Sequence, residues 1–181
     1  FSVPDEDRAH FTESVWYLPD TRLCFSVPAS SGKPDVSPPP ALRNGYVTFG
    51  CYQNLAKLND QVLAAWGRIF RGLPDARLRI QCKQMEGAAE REKLLQRLGK
   101  AGIDPRRVEL VGPGTREAYL ASHAEVDILL DTFPYPGGTT TCEGLWMGVP
   151  TLTLCGKTLL GRQGASMMQC AGLPDWVARD E

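Results

Sequence analysis

The 181 residues suffice for one sizeable domain with a tail, and 20 Lys+Arg against 21 Asp+Glu leave a formal net charge of −1. That balance gives no overall basic field for nucleic acid. No apolar stretch approaches the roughly 20 residues of a membrane-crossing helix, and the opening FSVPDEDRAHF lacks the basic and apolar regions of a signal peptide. Neither nucleic acid nor a membrane is an expected partner. The six cysteines form no C-x-x-C pair and only two histidines accompany them, so they read as free thiols packed in a reducing cytoplasm rather than as metal ligands. The chain lacks an initiating Met and reads as a piece of something longer.

Residues 1–44 are expected to be the end of a preceding domain and a linker, with prolines in short runs and Ser30, Ser31, Gly32 and Ser37 between them. Within them ESVWYLP (13–19) and RLCFSV (22–27) are apolar enough for strands or for docking on another domain, and Trp16, Tyr17 and Phe25 require cover. Residues 28–41 are expected to be extended and mobile, because their prolines oppose a helix. From Gly45 to residue 181 strands and helices alternate. YVTFGC (46–51) is a strand; Asn59 caps a helix with Val62, Leu63, Trp66, Ile69 and Phe70 on one face; ARLRIQC (76–82) is the second strand. A charged helix follows over 86–99 with Leu94, Leu95 and Leu98 inward, then a strand at 107–112 and a short helix at 115–124. VDILLD (126–131) is the fourth strand, 139–148 a helix, and PTLTLC (150–155) the fifth strand. A last helix spans about 158–171, and LPDWVA (173–178) makes a short sixth strand. The fold class is α/β, a doubly wound parallel sheet.

Such sheets bind ligands beyond the carboxyl ends of their strands. DTFPYPGGTTTCEGLWMGVP (131–150) occupies such an end and reads strand, Gly-rich loop, helix N-terminus. The first turn of a helix offers unpartnered N–H groups and the positive end of the macrodipole. Gly137 and Gly138 let a phosphate approach, Thr139, Thr140 and Thr141 add hydroxyl donors, and Glu143 lies where a carboxylate could hold a ribose diol. Lys57, just past the first strand, either reaches a phosphate or is a solvated surface lysine. Gln53 and Asn54 bridge phosphate oxygens or close a turn. GPGTRE (112–117) lacks the third glycine of a dinucleotide fingerprint and reads as a tight turn capped by Thr115. On the helix behind it, Tyr119 either stacks on a base or packs. His123 reads as a capping or surface residue. No P-loop, nucleophile elbow or cluster of general bases is visible.

VTFGCYQNLAKLND, LLDTFPYPGGTTTCEGLWMGVP and TLLGRQGASMM resemble the C-terminal catalytic half of the O-GlcNAc transferase and SPINDLY family, glycosyltransferase family 41, over about residues 13–181. The wording TFPY…TTTCE…MGVP is nearer to SPINDLY and bacterial members than to the animal ones. The resemblance implies a GT-B enzyme of two Rossmann-like domains behind TPR repeats, of which this is the second Rossmann-like domain. It also implies inverting, metal-independent transfer of a sugar to Ser or Thr of proteins, with no cofactor beyond the donor and with acceptors bound through the missing domains. By the resemblance Lys57 is the catalytic lysine at the donor diphosphate, replacing a metal together with the helix N-terminus. Asn54 stands where animal members have a glutamine, Thr139 and Thr140 at the diphosphate, and Glu143 for an aspartate on the ribose. Arg116 and Tyr119 stand for a lysine and a histidine near the base, and Gly138 for a histidine in the loop. These departures leave the donor open between UDP-GlcNAc and GDP-fucose. A non-catalytic sugar-nucleotide sensor or interaction module is the alternative. A nicotinamide oxidoreductase is opposed by the missing third glycine and by the absence of an acidic residue ending the second strand.

Overall fold

The computed structural model describes residues 2–26 and 35–180. Six strands form one sheet: β1 (Thr48–Cys51), β2 (Arg77–Gln81), β3 (Val108–Val111), β4 (Ile128–Leu130), β5 (Thr151–Leu154) and β6 (Val177–Ala178). Their order is β3-β2-β1-β4-β5-β6, and every neighbouring pair is parallel. The helices are α1 (Ala41–Asn44), α2 (Asp60–Gly72), α3 (Ala88–Lys100), α4 (Arg116–Ala121), α5 (Thr139–Trp146) and α6 (Gln163–Cys170).

Side-chain alternation along the strands assigns the two faces. Phe49 and Cys51 of β1, Leu78 and Ile80 of β2, and Leu130 of β4 pack with Val62, Leu63, Trp66 and Phe70 of α2 and Leu94 and Leu98 of α3. Ile69 and Leu95 are only partly buried. Asn59 caps α2 as expected: its Oδ1 accepts from the Val62 N–H at 2.9 Å, and its Nδ2 donates to the Phe133 carbonyl at 2.7 Å. The opposite face carries Leu129, packed with Tyr52, Val126 and Val149. There Gly144 lets α5 lie close on β4, since a Cβ at 144 would overlap the Leu129 side chain.

Several elements depart from the sequence reading. Residues 13–26 form no strand; they have no ladder partner and lie along α6 instead. Arg162 pairs with Asp7 at 3.1 Å, Ser166 Oγ donates to Thr21 Oγ1 at 3.4 Å, and the Arg22 guanidinium donates to the Gln163 Oε1. Trp16 is 86% exposed and Tyr17 48%, while Phe25 is half-buried. Of the stretch expected to be extended and mobile, residues 28–34 lie outside the described residues, and its last residue, Ala41, opens α1. The three prolines before it need no N–H partner; the Pro39 carbonyl accepts from Leu42 N–H, and the Pro40 carbonyl from Arg43 and Asn44 N–H. Asp127 fastens this turn to the sheet, accepting from Ala41 N–H at 2.8 Å and Thr48 N–H at 2.7 Å. The last helix begins at Gln163 rather than near 158, because the Gly156 N–H turns back to the Gly161 carbonyl at 3.0 Å.

Candidate functional site

β1 and β4 are neighbours, yet α2 follows β1 onto one face and α5 follows β4 onto the other. The loops at their carboxyl ends therefore diverge and leave a crevice, the general ligand position of a doubly wound sheet. Residues 52–57 leave β1 and residues 131–138 leave β4.

Asp131 organises the second loop from beneath. Its Oδ1 accepts the N–H groups of Gly137 at 2.7 Å and Thr132 at 2.9 Å, and its Oδ2 accepts Thr153 Oγ1–H at 2.8 Å. Burial pushes its pKa up, and these hydrogen bonds and the Lys57 charge partly offset that. Gln163, the first residue of α6, donates to the Gly137 carbonyl at 2.8 Å. With its N–H and C=O both engaged, Gly137 is fixed in the loop and its amide is already taken. A side chain there would overlap Gln53, Thr140 and Thr141. Gly138 heads α5, and its carbonyl accepts from Thr141 and Cys142 at 3.1 Å each. Among the described residues no protein acceptor takes the N–H groups of Gly138, Thr139 and Thr140, so three donors and the helix dipole face the crevice. Thr139 is exposed and Thr140 half-buried beside them. Thr141 is 1% exposed and its hydroxyl lies under the loop, away from the mouth.

Lys57 closes a 3-10 turn (Leu55–Lys57) and crosses to the second loop. Its Nζ donates to the Pro136 carbonyl at 3.0 Å and to Gln53 Oε1 at 3.2 Å, and sits 4.0 Å from the Tyr135 ring centroid. All three partners are uncharged. Burial lowers its pKa, and buried Asp131 acts in the opposite direction. Gln53, 6% exposed, also donates from Nε2 to Thr140 Oγ1 at 2.9 Å, joining Lys57 to the first turn of α5. Asn54 takes the turn-closing role: its Oδ1 accepts from Ala56 N–H and from Gln84 Nε2, both at 2.9 Å.

Arg116, Tyr119 and Glu143 meet as a group. Glu143 is 4% exposed; its Oε1 pairs with the Arg116 guanidinium and its Oε2 accepts the Tyr119 hydroxyl at 2.6 Å. Burial, followed by the Glu143 carboxylate, pushes the Tyr119 pKa up. The Tyr119 ring packs edge-on against Tyr52 at 5.4 Å. His123 is not a surface residue: it is fully buried, stacked on Tyr52 at 4.2 Å, and burial lowers its pKa. Thr115 caps α4 as expected, accepting from Ala118 N–H at 3.2 Å. Between this group, Thr140 and the end of β2 lies a recess of ≈ 540 Å³.

The crevice thus holds four residues that sequence reasoning did not single out. Asp131 closes an apolar run and reads as a strand end. Tyr52, Gln81 and Gln163 reach the site only through strand alternation and the packing of α6. No group of three or more metal-ligating side chains occurs among the described residues.

The sequence profile of glycosyl transferase family 41 matches residues 40–181. A protein of Petunia hybrida named probable UDP-N-acetylglucosamine–peptide N-acetylglucosaminyltransferase SPINDLY is 40% identical over 179 residues, covering 98% of this chain and 19% of that protein. Its Arabidopsis thaliana counterpart is 38% identical over the same share. This chain spans about a fifth of the length of these relatives. The solved structure of a variant of the Thermobaculum terrenum O-GlcNAc transferase superposes with a TM-score of 0.89 at 32% identity, covering 99% of this chain and 33% of that one. The parallel sheet is therefore the Rossmann-like half of a GT-B glycosyltransferase, and the chain belongs to glycosyl transferase family 41.

Proposed function

We propose that this domain holds the nucleotide diphosphate sugar of a protein O-glycosyltransferase. The observation that carries the reading is the facing pair of positive elements: three unpartnered N–H groups at the start of α5, and Lys57 held across from them by uncharged groups only. A diphosphate between them satisfies both. The recess at Tyr52, Arg116 and Tyr119 then takes the nucleoside, and Glu143 lies beside it for the ribose hydroxyls.

In the transfer, a Ser or Thr hydroxyl oxygen of the acceptor forms the new bond to the anomeric carbon, with inversion. The bond from that carbon to the diphosphate breaks, and its electron pair stays on the departing phosphate oxygen. The hydroxyl proton leaves to a base or solvent outside this domain. Charge growing on the leaving oxygen is met by Lys57 and the α5 amides, which are fixed before reaction. The names of the relatives favour UDP-GlcNAc as donor, and GDP-fucose fits the same diphosphate chemistry. Acceptor recognition falls to the parts of the parent protein outside this chain, so the chain alone binds donor without transferring it.

Titration calorimetry separates the two halves of the site. Glu143→Ala leaves Arg116 and the Tyr119 hydroxyl without their partner and weakens both uridine and UDP, by about threefold to thirtyfold. Lys57→Ala weakens only the diphosphate. Equal UDP affinity in the wild type and both variants would remove the assignment.

A further inference from the structure

The strand face that carries Gln81 is opposite the one that carries Leu78 and Ile80, which α2 and α3 cover. Gln81, at the carboxyl end of β2, is nevertheless 6% exposed, and its Oε1 is buried without a hydrogen-bond partner. Buried amides are ordinarily satisfied, and an orphaned one calls for an explanation. Six side-chain atoms are left this way among the described residues, and only that of Gln81 belongs to the recess beside Arg116, Tyr119 and Thr140. The same recess reaches Thr140 in the first turn of α5, so a nucleoside whose diphosphate sits at α5 has its base at Gln81.

We infer that Gln81 is a specificity-determining residue that reads the nucleobase edge, accepting from a ring N–H through Oε1 and donating to the adjacent ring carbonyl through Nε2. The inference rests on the nucleotide reading above. Uracil and guanine both present an N–H next to a carbonyl. With the acceptor on the buried side, cytosine and adenine offer a ring nitrogen lone pair where Oε1 requires a donor.

The test is titration calorimetry of this chain with UDP, GDP and inorganic pyrophosphate, for the wild type, Gln81→Met, Gln81→Glu and Lys57→Ala. Gln81→Met is expected to weaken UDP by about threefold to tenfold, the loss of a neutral hydrogen bond, and to leave pyrophosphate unchanged. Gln81→Glu is expected to change the ratio of UDP to GDP affinity. A carboxylate suits the two adjacent donors of guanine, whereas the single N–H of uracil is flanked by two carbonyls that repel it. This ratio is read on folded protein whatever Gln81→Met does to stability. If both Gln81 variants keep the wild-type affinities and ratio while Lys57→Ala weakens UDP, the role of Gln81 is overturned and the nucleotide site stands. If UDP binding is absent, or indifferent to Lys57→Ala as well, the nucleotide reading falls and takes the inference with it.

Discussion

Asp131→Ala is expected to lower the unfolding free energy by about 2–5 kcal/mol, since it strands two backbone N–H groups and a buried hydroxyl that one carboxylate now satisfies. Asp131→Asn keeps an acceptor for Gly137 and Thr132, and Thr153 Oγ1 can turn to accept from the new amide, so most of the loss is recovered. The two variants differ from the wild type in pH dependence as well. The folded pKa of Asp131 is raised above its ordinary 3.8 by burial. Its contribution relative to asparagine is therefore fully present below that ordinary value and is lost as the pH rises through the raised folded value. Urea unfolding of the wild type and Asp131→Asn across the acid range measures this; a difference that grows in favour of the wild type with rising pH would contradict it. Because Gly137 hangs from Asp131, the alanine variant also loosens the diphosphate loop and weakens UDP.

Lys57→Ala is expected to reduce affinity for a nucleoside diphosphate by about tenfold to a hundredfold, the loss of one charge-assisted contact of about 1.5–3 kcal/mol. The melting temperature should change little. Burial disfavours the charged ammonium, which offsets the hydrogen bonds it donates to the Pro136 carbonyl and Gln53 Oε1. The same burial bears on ligand binding. The unliganded Lys57 loses its proton below the ordinary 10.5, so diphosphate affinity falls as the pH rises through that lowered value. Uridine, which has no phosphate, keeps its affinity in the variant. A parallel loss of uridine and UDP in Lys57→Ala would place the lysine at the nucleoside, against the geometry.

Much of this arrangement was legible in the sequence because local signals and the global fold agree. The spacing of Val62, Leu63, Trp66 and Phe70 behind Asn59 defines α2, and the apolar run into Pro-Gly-Gly-Thr-Thr defines β4, its loop and the start of α5. Lys57 stood open between surface and site, and its hydrogen bond to the Pro136 carbonyl places it in the crevice. What local patterns do not carry is the identity of partners distant in the chain. Glu143 shows as a helix carboxylate, but its pairing with Arg116 and Tyr119 depends on how α4 and α5 converge. His123 follows a short helix and reads as a capping or surface residue; its Nδ1 does lie against the Tyr119 and Leu120 carbonyls at the helix end, but a 3-10 turn after α4 buries the ring on Tyr52. Residues 13–26 carry apolar side chains at strand-like density, but the sheet ends at β6 on one side and β3 on the other, and the segment pairs with neither.

If the α5 amides hold the diphosphate, amide proton–nitrogen spectra recorded during a UDP titration register it directly. The largest shifts are expected at Gly138, Thr139 and Thr140, whose N–H groups have no acceptor among the described residues. Gly137 should move less because its N–H is already bonded to Asp131. Saturating shifts confined to other parts of the chain, with these three amides unmoved, would contradict it.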